Sequence, residues 1–258
     1  MTVEKIFITN RKSQKIAVLL ERSENQKGIV FVMHGLSGFK EQPHIETFAV
    51  AFKEKGYTVV RFDTTNTLGE SDGKYEDATA TNYYEDLEDV IAWAQTQAWY
   101  DEPFYLAGHS LGGLCTALYA QKYPNKVRGL APISTVVSGK LSLETYSKEE
   151  AEAWRRTGRR QELSKSTGRI KDLKWTHMED RLRYDLLPNA HKLAMPVLMI
   201  VGDQDPNTPP KHQKLLFDKL PGKKEFHIIK GAEHTFRDKS HLEEIKKILL
   251  KWIETVSA

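Results

Sequence analysis

Eight short runs of β-branched or apolar residues recur along the chain, at 3–8, 15–20, 28–33, 57–62, 104–107, 127–131, 197–201 and 225–229. Runs of this length and composition read as strands. The first two lie close together and suit an antiparallel start. The later ones are separated by stretches long enough for crossover helices, which is what parallel neighbours require. A parallel sheet must be covered on both faces. The alternation therefore predicts an α/β chain with a mostly parallel eight-stranded sheet flanked by helices. The intervening segments agree, since Tyr84, Leu87, Ile91 and Ala94 recur at helical spacing. Near the C-terminus Leu242, Ile245, Leu249, Trp252 and Ile253 share one helix face. With 258 residues, 40% of them hydrophobic, the chain can bury its core as one domain over 1–258.

Residues 134–190 break the alternation. They carry Tyr146, Trp154, Trp175 and Tyr184 among many charges and contain no convincing strand, so the segment reads as a helical insertion within the domain. A long stretch of this kind inside a compact domain is usually functional or disordered, and its aromatic content argues against full disorder. The net charge of the chain is +3, from 38 Lys and Arg against 35 Asp and Glu. All of that excess falls in 134–190, with 12 basic against 9 acidic residues. A functional basic patch and a solvated face both fit that excess, and the solvated face is the reading adopted. Charge so near balance does not suggest a nucleic-acid binder on bulk electrostatics, and none is expected. Cys115 is the single cysteine, so no intrachain disulfide can form, and its apolar surroundings place it in the core. The opening residues lack a long apolar stretch, and the apolar region at 193–201 is interrupted by Pro196. A cytoplasmic protein without membrane association is the expectation.

The chemistry begins where the strand at 104–107 runs into Gly108-His109-Ser110-Leu111-Gly112-Gly113 and then into an apolar helical stretch. A serine at a sharp strand-to-helix turn is a nucleophile elbow, and the flanking glycines remove side chains that would collide across it. An alcohol is a weak nucleophile until a base accepts its proton. Gly231-Ala232-Glu233-His234, between the last strand and the last helix, supplies that histidine. The imidazole needs a carboxylate to set its tautomer, and Val201-Gly202-Asp203-Gln204-Asp205 offers two. Asp205, farther out on the loop, is chosen as the acid, and Asp203 is read as a turn former. The oxyanion hole is assigned to the backbone N–H groups of Leu111 and of Leu36 in the loop Met33-His34-Gly35-Leu36-Ser37-Gly38, with His34 structural. The remaining histidines have no metal-binding spacing, so no metal and no cofactor is expected.

In these stretches the sequence resembles the α/β-hydrolase superfamily, and within it the bacterial cinnamoyl or feruloyl esterase-like branch. The likeness is carried by His34-Gly35-Leu36-Ser37-Gly38, by Arg61-Phe62-Asp63 with Gly69-Glu70-Ser71-Asp72-Gly73, by Gly108 to Gly113, and by Gly231-Ala232-Glu233-His234 with Phe236 and Asp238. The resemblance implies an α/β-hydrolase fold and hydrolysis of a small-molecule carboxylic ester through an acyl-enzyme, with 134–190 acting as a lid. Leu111 and Leu36 depart from the glutamine and the aromatic residue that such esterases often carry there, which leaves short aliphatic esters beside aromatic ones. Thioesterase, peptidase, carbon–carbon bond hydrolase and a catalytically silent ligand-binding member share the fold and are the alternatives. Trp154 and Trp175 are the candidate pocket-lining residues of the lid, with anchoring of the insertion to the core as their other reading.

Overall fold

The computed structural model describes residues 2–163, 168 and 170–257. Eight strands form one sheet: β1 (Thr2–Thr9), β2 (Lys15–Arg22), β3 (Ile29–Met33), β4 (Thr58–Phe62), β5 (Phe104–His109), β6 (Val127–Ile133), β9 (Val197–Gly202) and β10 (Lys224–Ile229). Their order across the sheet is β1-β2-β4-β3-β5-β6-β9-β10. β2 pairs antiparallel with both β1 and β4, and every later pairing is parallel. All eight expected runs are strands of this sheet, with ends displaced by a residue or two.

The central strands are buried on both sides, and their side chains divide by the period of two. Ile29, Phe31 and Met33 of β3 enter one core with Phe104 and Leu106 of β5, while Val30, Val32, Tyr105 and Ala107 enter the other. The first core lies beneath α2 (Ala80–Gln95) and α3 (Leu111–Lys122), and the second beneath α1 (Pro43–Glu54) and α8 (Lys239–Ser257). Ile245, Leu249, Trp252 and Ile253 form the buried face of α8, and Leu242 packs at its margin. α2 opens on Thr79, whose side chain accepts the N–H of Asn82 at 3.0 Å. Cys115 is free and fully buried.

The stretch at 134–190 is of mixed structure, which corrects the expectation of a purely helical insertion. It contains α4 (Gly139–Leu143), α5 (Lys148–Thr157), α6 (Thr176–Arg181) and an antiparallel hairpin of β7 (Arg159–Leu163) with β8 (Ile170–Lys174). The hairpin escapes a hydrophobicity pattern because only Leu173 among its ten residues is buried. Cross-strand charges join its strands instead, with Arg159 to Asp172 at 2.7 Å and Lys171 to Glu162 at 3.3 Å. α5 starts at a reciprocal capping box, Ser147 with Glu150, and ends on Gly158 in the left-handed region at φ 71°. α7 (Pro210–Lys219) completes the helices between β9 and β10. Among the described residues no helix is long and apolar enough to cross a membrane.

Candidate active site

β5 delivers Ser110 to the carboxyl edge of the sheet, and α3 starts at the next residue. Ser110 has φ 56° and ψ −115°, a conformation that a non-glycine residue holds only when its surroundings over-determine it. They do so here. Its N–H donates to the Ile133 carbonyl at 3.0 Å, and its own carbonyl accepts from Leu114 and Val136, each at 3.1 Å. A side chain at Gly108 would collide with the backbone of Gly112 across the turn, and a Cβ on Gly35 would lie 2.9 Å from the Ser110 Cβ. These two positions must be bare for the elbow and the loop after β3 to come together.

The loop after β10 brings His234 to the same edge. Ser110 Oγ donates to His234 Nε2 at 2.9 Å, and His234 Nδ1 donates to Asp205 Oδ2 at 2.8 Å. Asp205 extends from the loop after β9 and is 3% exposed. Its Oδ1 accepts from the N–H groups of Asn207 and Thr208, both at 2.9 Å, and its Oδ2 lies 2.7 Å from Thr208 Oγ1. Burial pushes this carboxyl upward, but the hydrogen bonds from His234 and Thr208 and the attraction of the imidazole outweigh it, leaving it below the ordinary Asp value. The three expected residues thus form one hydrogen-bonded chain that joins three separate loops. Asp203 accepts instead from the N–H of Gly231 at 2.7 Å, bracing the His234 loop.

Two further side chains support the base, and sequence reasoning had not assigned either to it. Thr208 Oγ1 donates to Asp205 Oδ2 at 2.7 Å and lies 3.0 Å from the Ser134 carbonyl; its position three residues after Asp205 is the signal that an Asx-type turn would have supplied. His109 Nε2 donates to the His234 carbonyl at 2.7 Å. Burial, reinforced by the neighbouring His44 and His234, holds His109 well below the ordinary imidazole value. Burial likewise takes His44, whose ring is 4.4 Å from that of His109, down to about 3. The His109 and His44 imidazoles beside the base are therefore neutral at pH 7.

The loop after β3 is held rigidly. His34 Nδ1 donates to the Gly35 carbonyl at 2.7 Å and its Nε2 accepts the Thr64 N–H at 3.0 Å, a structural role. Farther along, Lys40 is fully buried, and its Nζ meets Asp63 at 2.8 Å and Glu70 at 2.6 Å. Asp63 also accepts the N–H groups of Lys40 and Glu70. Arg61-Phe62-Asp63 and Gly69 to Gly73 thus serve to tie the loop to β4. Leu36 stands in this loop and on the cavity wall, and Leu111 is the first residue of α3, where helical N–H groups lack intrahelical partners.

Ser110 and His234 open into a cavity of about 750 Å³ whose wall is supplied in part by the insertion. Neither Trp154 nor Trp175 is on its wall, which corrects the pocket-lining expectation for both. Trp154 is 2% exposed, donates from Nε1 to the Leu173 carbonyl at 3.0 Å, and meets the Trp175 ring edge-on at 5.3 Å. Each indole is consumed in joining α5, the hairpin and α6. The wall of the insertion is formed by Tyr146, Arg160, Lys171, Leu173 and Arg181, with Tyr75 beside them. The basic excess of 134–190 is therefore in part turned inward, not spread over a solvated face as expected. Lys171 also reaches Ser37 Oγ across the cavity at 3.4 Å.

Residues 24–172 match the sequence signature described as serine aminopeptidase, S33. The chain belongs to that family of α/β-hydrolases. It is a serine hydrolase. A curated relative, the 31.7 kDa protein of the traX-finO intergenic region of Escherichia coli, is 27% identical over 284 residues, spanning 96% of this chain and 98% of that one. Among solved structures the hydrolase is similar to Est1E from Butyrivibrio proteoclasticus with ferulic acid bound, at a TM-score of 0.82 and 22% identity over 97% of this chain and 98% of that one. It is similar also to mouse alpha/beta hydrolase domain-containing protein 10, at a TM-score of 0.81 and 17% identity over 98% and 99%.

Proposed function

We propose that the hydrolase is a serine carboxylesterase acting on small acyl or aromatic-acid esters through an acyl-enzyme. The observation that carries this reading is the unbroken hydrogen-bond chain from Ser110 through His234 to Asp205, opening into a cavity of a size suited to a small organic ligand. Ser110 Oγ attacks the ester carbonyl as His234 Nε2 takes its proton. Asp205 holds the imidazole in the productive tautomer and stabilises its charge. The Leu36 and Leu111 N–H groups receive the oxyanion. Collapse of the tetrahedral adduct expels the alcohol with the proton from His234. The imidazole then deprotonates a water that attacks the acyl-serine, and the acid leaves as Ser110 is reprotonated. Residues 134–190 act as the lid that shields this intermediate from bulk water. The ferulic acid held by the Butyrivibrio protein supports an aromatic acid as one occupant.

The charges of the cavity favour an ester over an aminopeptidase substrate. A peptide's α-ammonium needs a free carboxylate to receive it. The two carboxylates on the wall are already engaged, Glu162 with Arg160 at 3.2 Å and Lys171 at 3.3 Å, and Glu233 with Arg237 at 3.7 Å. An α-ammonium would meet cations. The test is turnover of p-nitrophenyl esters, thioesters and aminoacyl p-nitroanilides together with fluorophosphonate labelling. Ester cleavage and labelling are expected, both abolished in Ser110→Ala. Cleavage of the anilides alone overturns the reading, as does labelling of the Ser110→Ala protein.

A further inference from the structure

Arg181, the last residue of α6, is 6% exposed and lines the cavity that Ser110 opens into. A guanidinium does not readily shed its proton, so its burial ordinarily requires a carboxylate partner. Arg181 has none among the described residues. Its Nη1 donates to Ser142 Oγ at 2.7 Å, and its Nη2 donates to His177 Nε2. His177 is the acceptor there because its Nδ1 donates to the Ala78 carbonyl at 2.8 Å, and burial with the adjacent guanidinium keeps it neutral. Both partners are thus uncharged. The Nε of Arg181 is buried with no hydrogen-bond partner among the described residues.

The surroundings reinforce the vacancy of charge. Among the described residues the wall carries four cationic side chains, Arg160, Lys171, Arg181 and Arg237, against two carboxylates, Glu162 and Glu233. Both carboxylates are engaged by the other three cations. Tyr75 and Tyr146 stand on the same wall, with hydroxyls able to donate to an anion but unable to neutralise a cation. A buried, uncompensated guanidinium facing a substrate cavity, with a planar fork of donors, matches a carboxylate.

We propose that the cavity takes an ester that also carries a free carboxylate, and that Arg181 is the receptor for that group. The inference rests on Ser110 as the hydrolytic nucleophile and adds the substrate class. Because the guanidinium acts on a part of the substrate away from the scissile bond, its contribution appears as binding and as preference among substrates.

The experiment uses the full chain and two matched series. p-Nitrophenyl half-esters of C4 to C8 dicarboxylic acids are compared with p-nitrophenyl alkanoates of equal length, and acetate esters of ω-hydroxy acids with acetate esters of n-alkanols. In one series kcat/KM is expected to favour the acid over its neutral counterpart at least tenfold, mainly through KM, at the length that spans Ser110 to Arg181. The preference is expected to fall toward unity in Arg181→Gln and to survive in part in Arg181→Lys. A merely structural tie between α4 and α6 would lower the melting temperature of Arg181→Gln without moving the ratio of the two substrates. Should that variant not fold, competition settles the matter in the unaltered protein: free C4 to C8 dicarboxylates are expected to inhibit hydrolysis of the neutral ester competitively, and the diols of equal length not to. Acid-to-neutral ratios at or below one for every length in both series overturn the proposal while leaving the esterase reading intact. Absence of ester cleavage and of fluorophosphonate labelling removes both.

Discussion

The sheet and the insertion are built on different physics. In the sheet, consecutive side chains of β3 and β5 enter two separate apolar cores, so every position is constrained from both sides. In the insertion the hairpin buries one residue of ten, its cross-strand ion pairs are exposed, and its firmest tie is the contact of the Trp154 indole with Trp175 and with the Leu173 carbonyl. The difference separates the loops that carry Ser110, Asp205 and His234 from the part of the cavity wall that the insertion supplies. Ser110, Asp205 and His234 stand on loops whose ends are clamped by parallel strands, which fixes their mutual geometry. The part of the cavity wall that the insertion supplies stands instead on a unit tied together by aromatic edges beneath an exposed charged surface, which can vary without disturbing the sheet.

The largest effect is expected on the sheet side. Asp205→Asn should lower kcat roughly 10³- to 10⁴-fold, because the amide no longer enforces the tautomer that leaves Nε2 free to accept. Asp203→Asn, which touches only the Gly231 N–H, should cost far less. Turnover of one p-nitrophenyl ester by both folded variants decides the matter, and a larger loss at Asp203 would reverse the two assignments.

Next comes the anchor of the insertion. Trp154→Ala should destabilise the protein by about 3 kcal/mol or more, given its near-complete burial, without reordering the preference among acyl lengths. Thermal melts and a substrate panel measure the two separately. An unchanged melting temperature with an altered ranking would make the indole part of the pocket after all and erase the contrast drawn above.

Acidification gives a smaller effect that spans both regions. Burial depresses the folded-state values of His34, His44 and His109 in the sheet half and of His177 in the insertion, relative to an unfolded value near 6.5. Below pH 6.5 the unfolded chain binds protons that the folded chain refuses, so stability present at pH 7 is lost as pH falls. His44, held down to about 3, accounts for about 2 kcal/mol of that loss at pH 5. Asp205, whose folded-state value is also depressed, acts in the same sense but only below about pH 4, outside this window. Urea unfolding at pH 7 and pH 5 should show the decline, and His44→Leu should decline less by that amount. An equal slope in the variant would refute the assignment.

The smallest effect is expected at the hairpin's exposed charges. Arg159→Gln breaks contacts with Glu76 and Asp172 at the surface, where ion pairs contribute little, and should leave the melting temperature within experimental scatter. A clear drop would show that the charge ladder holds the insertion more tightly than the indoles do.

The sequence by itself determined the eight strands of the sheet, because burial on one or both faces imposes apolar runs that are read locally. It determined the elbow as well, since the glycines at 108 and 112 are a steric requirement of the turn around Ser110. It also named Asp205 and His234, whose places at the ends of strands follow from the order of the elements. What tertiary structure alone decided is everything that depends on which surfaces meet. β7 and β8 have no apolar alternation because they face solvent and charged neighbours. Trp154 and Trp175 have one composition whether they line a pocket or close an insertion, and only the approach of α5, β8 and α6 chose between them. Arg181 is one of 12 basic residues in its segment. Its burial without a counter-charge arises from the folding of α6 over the cavity, a contact between residues far apart in the chain that no local pattern encodes.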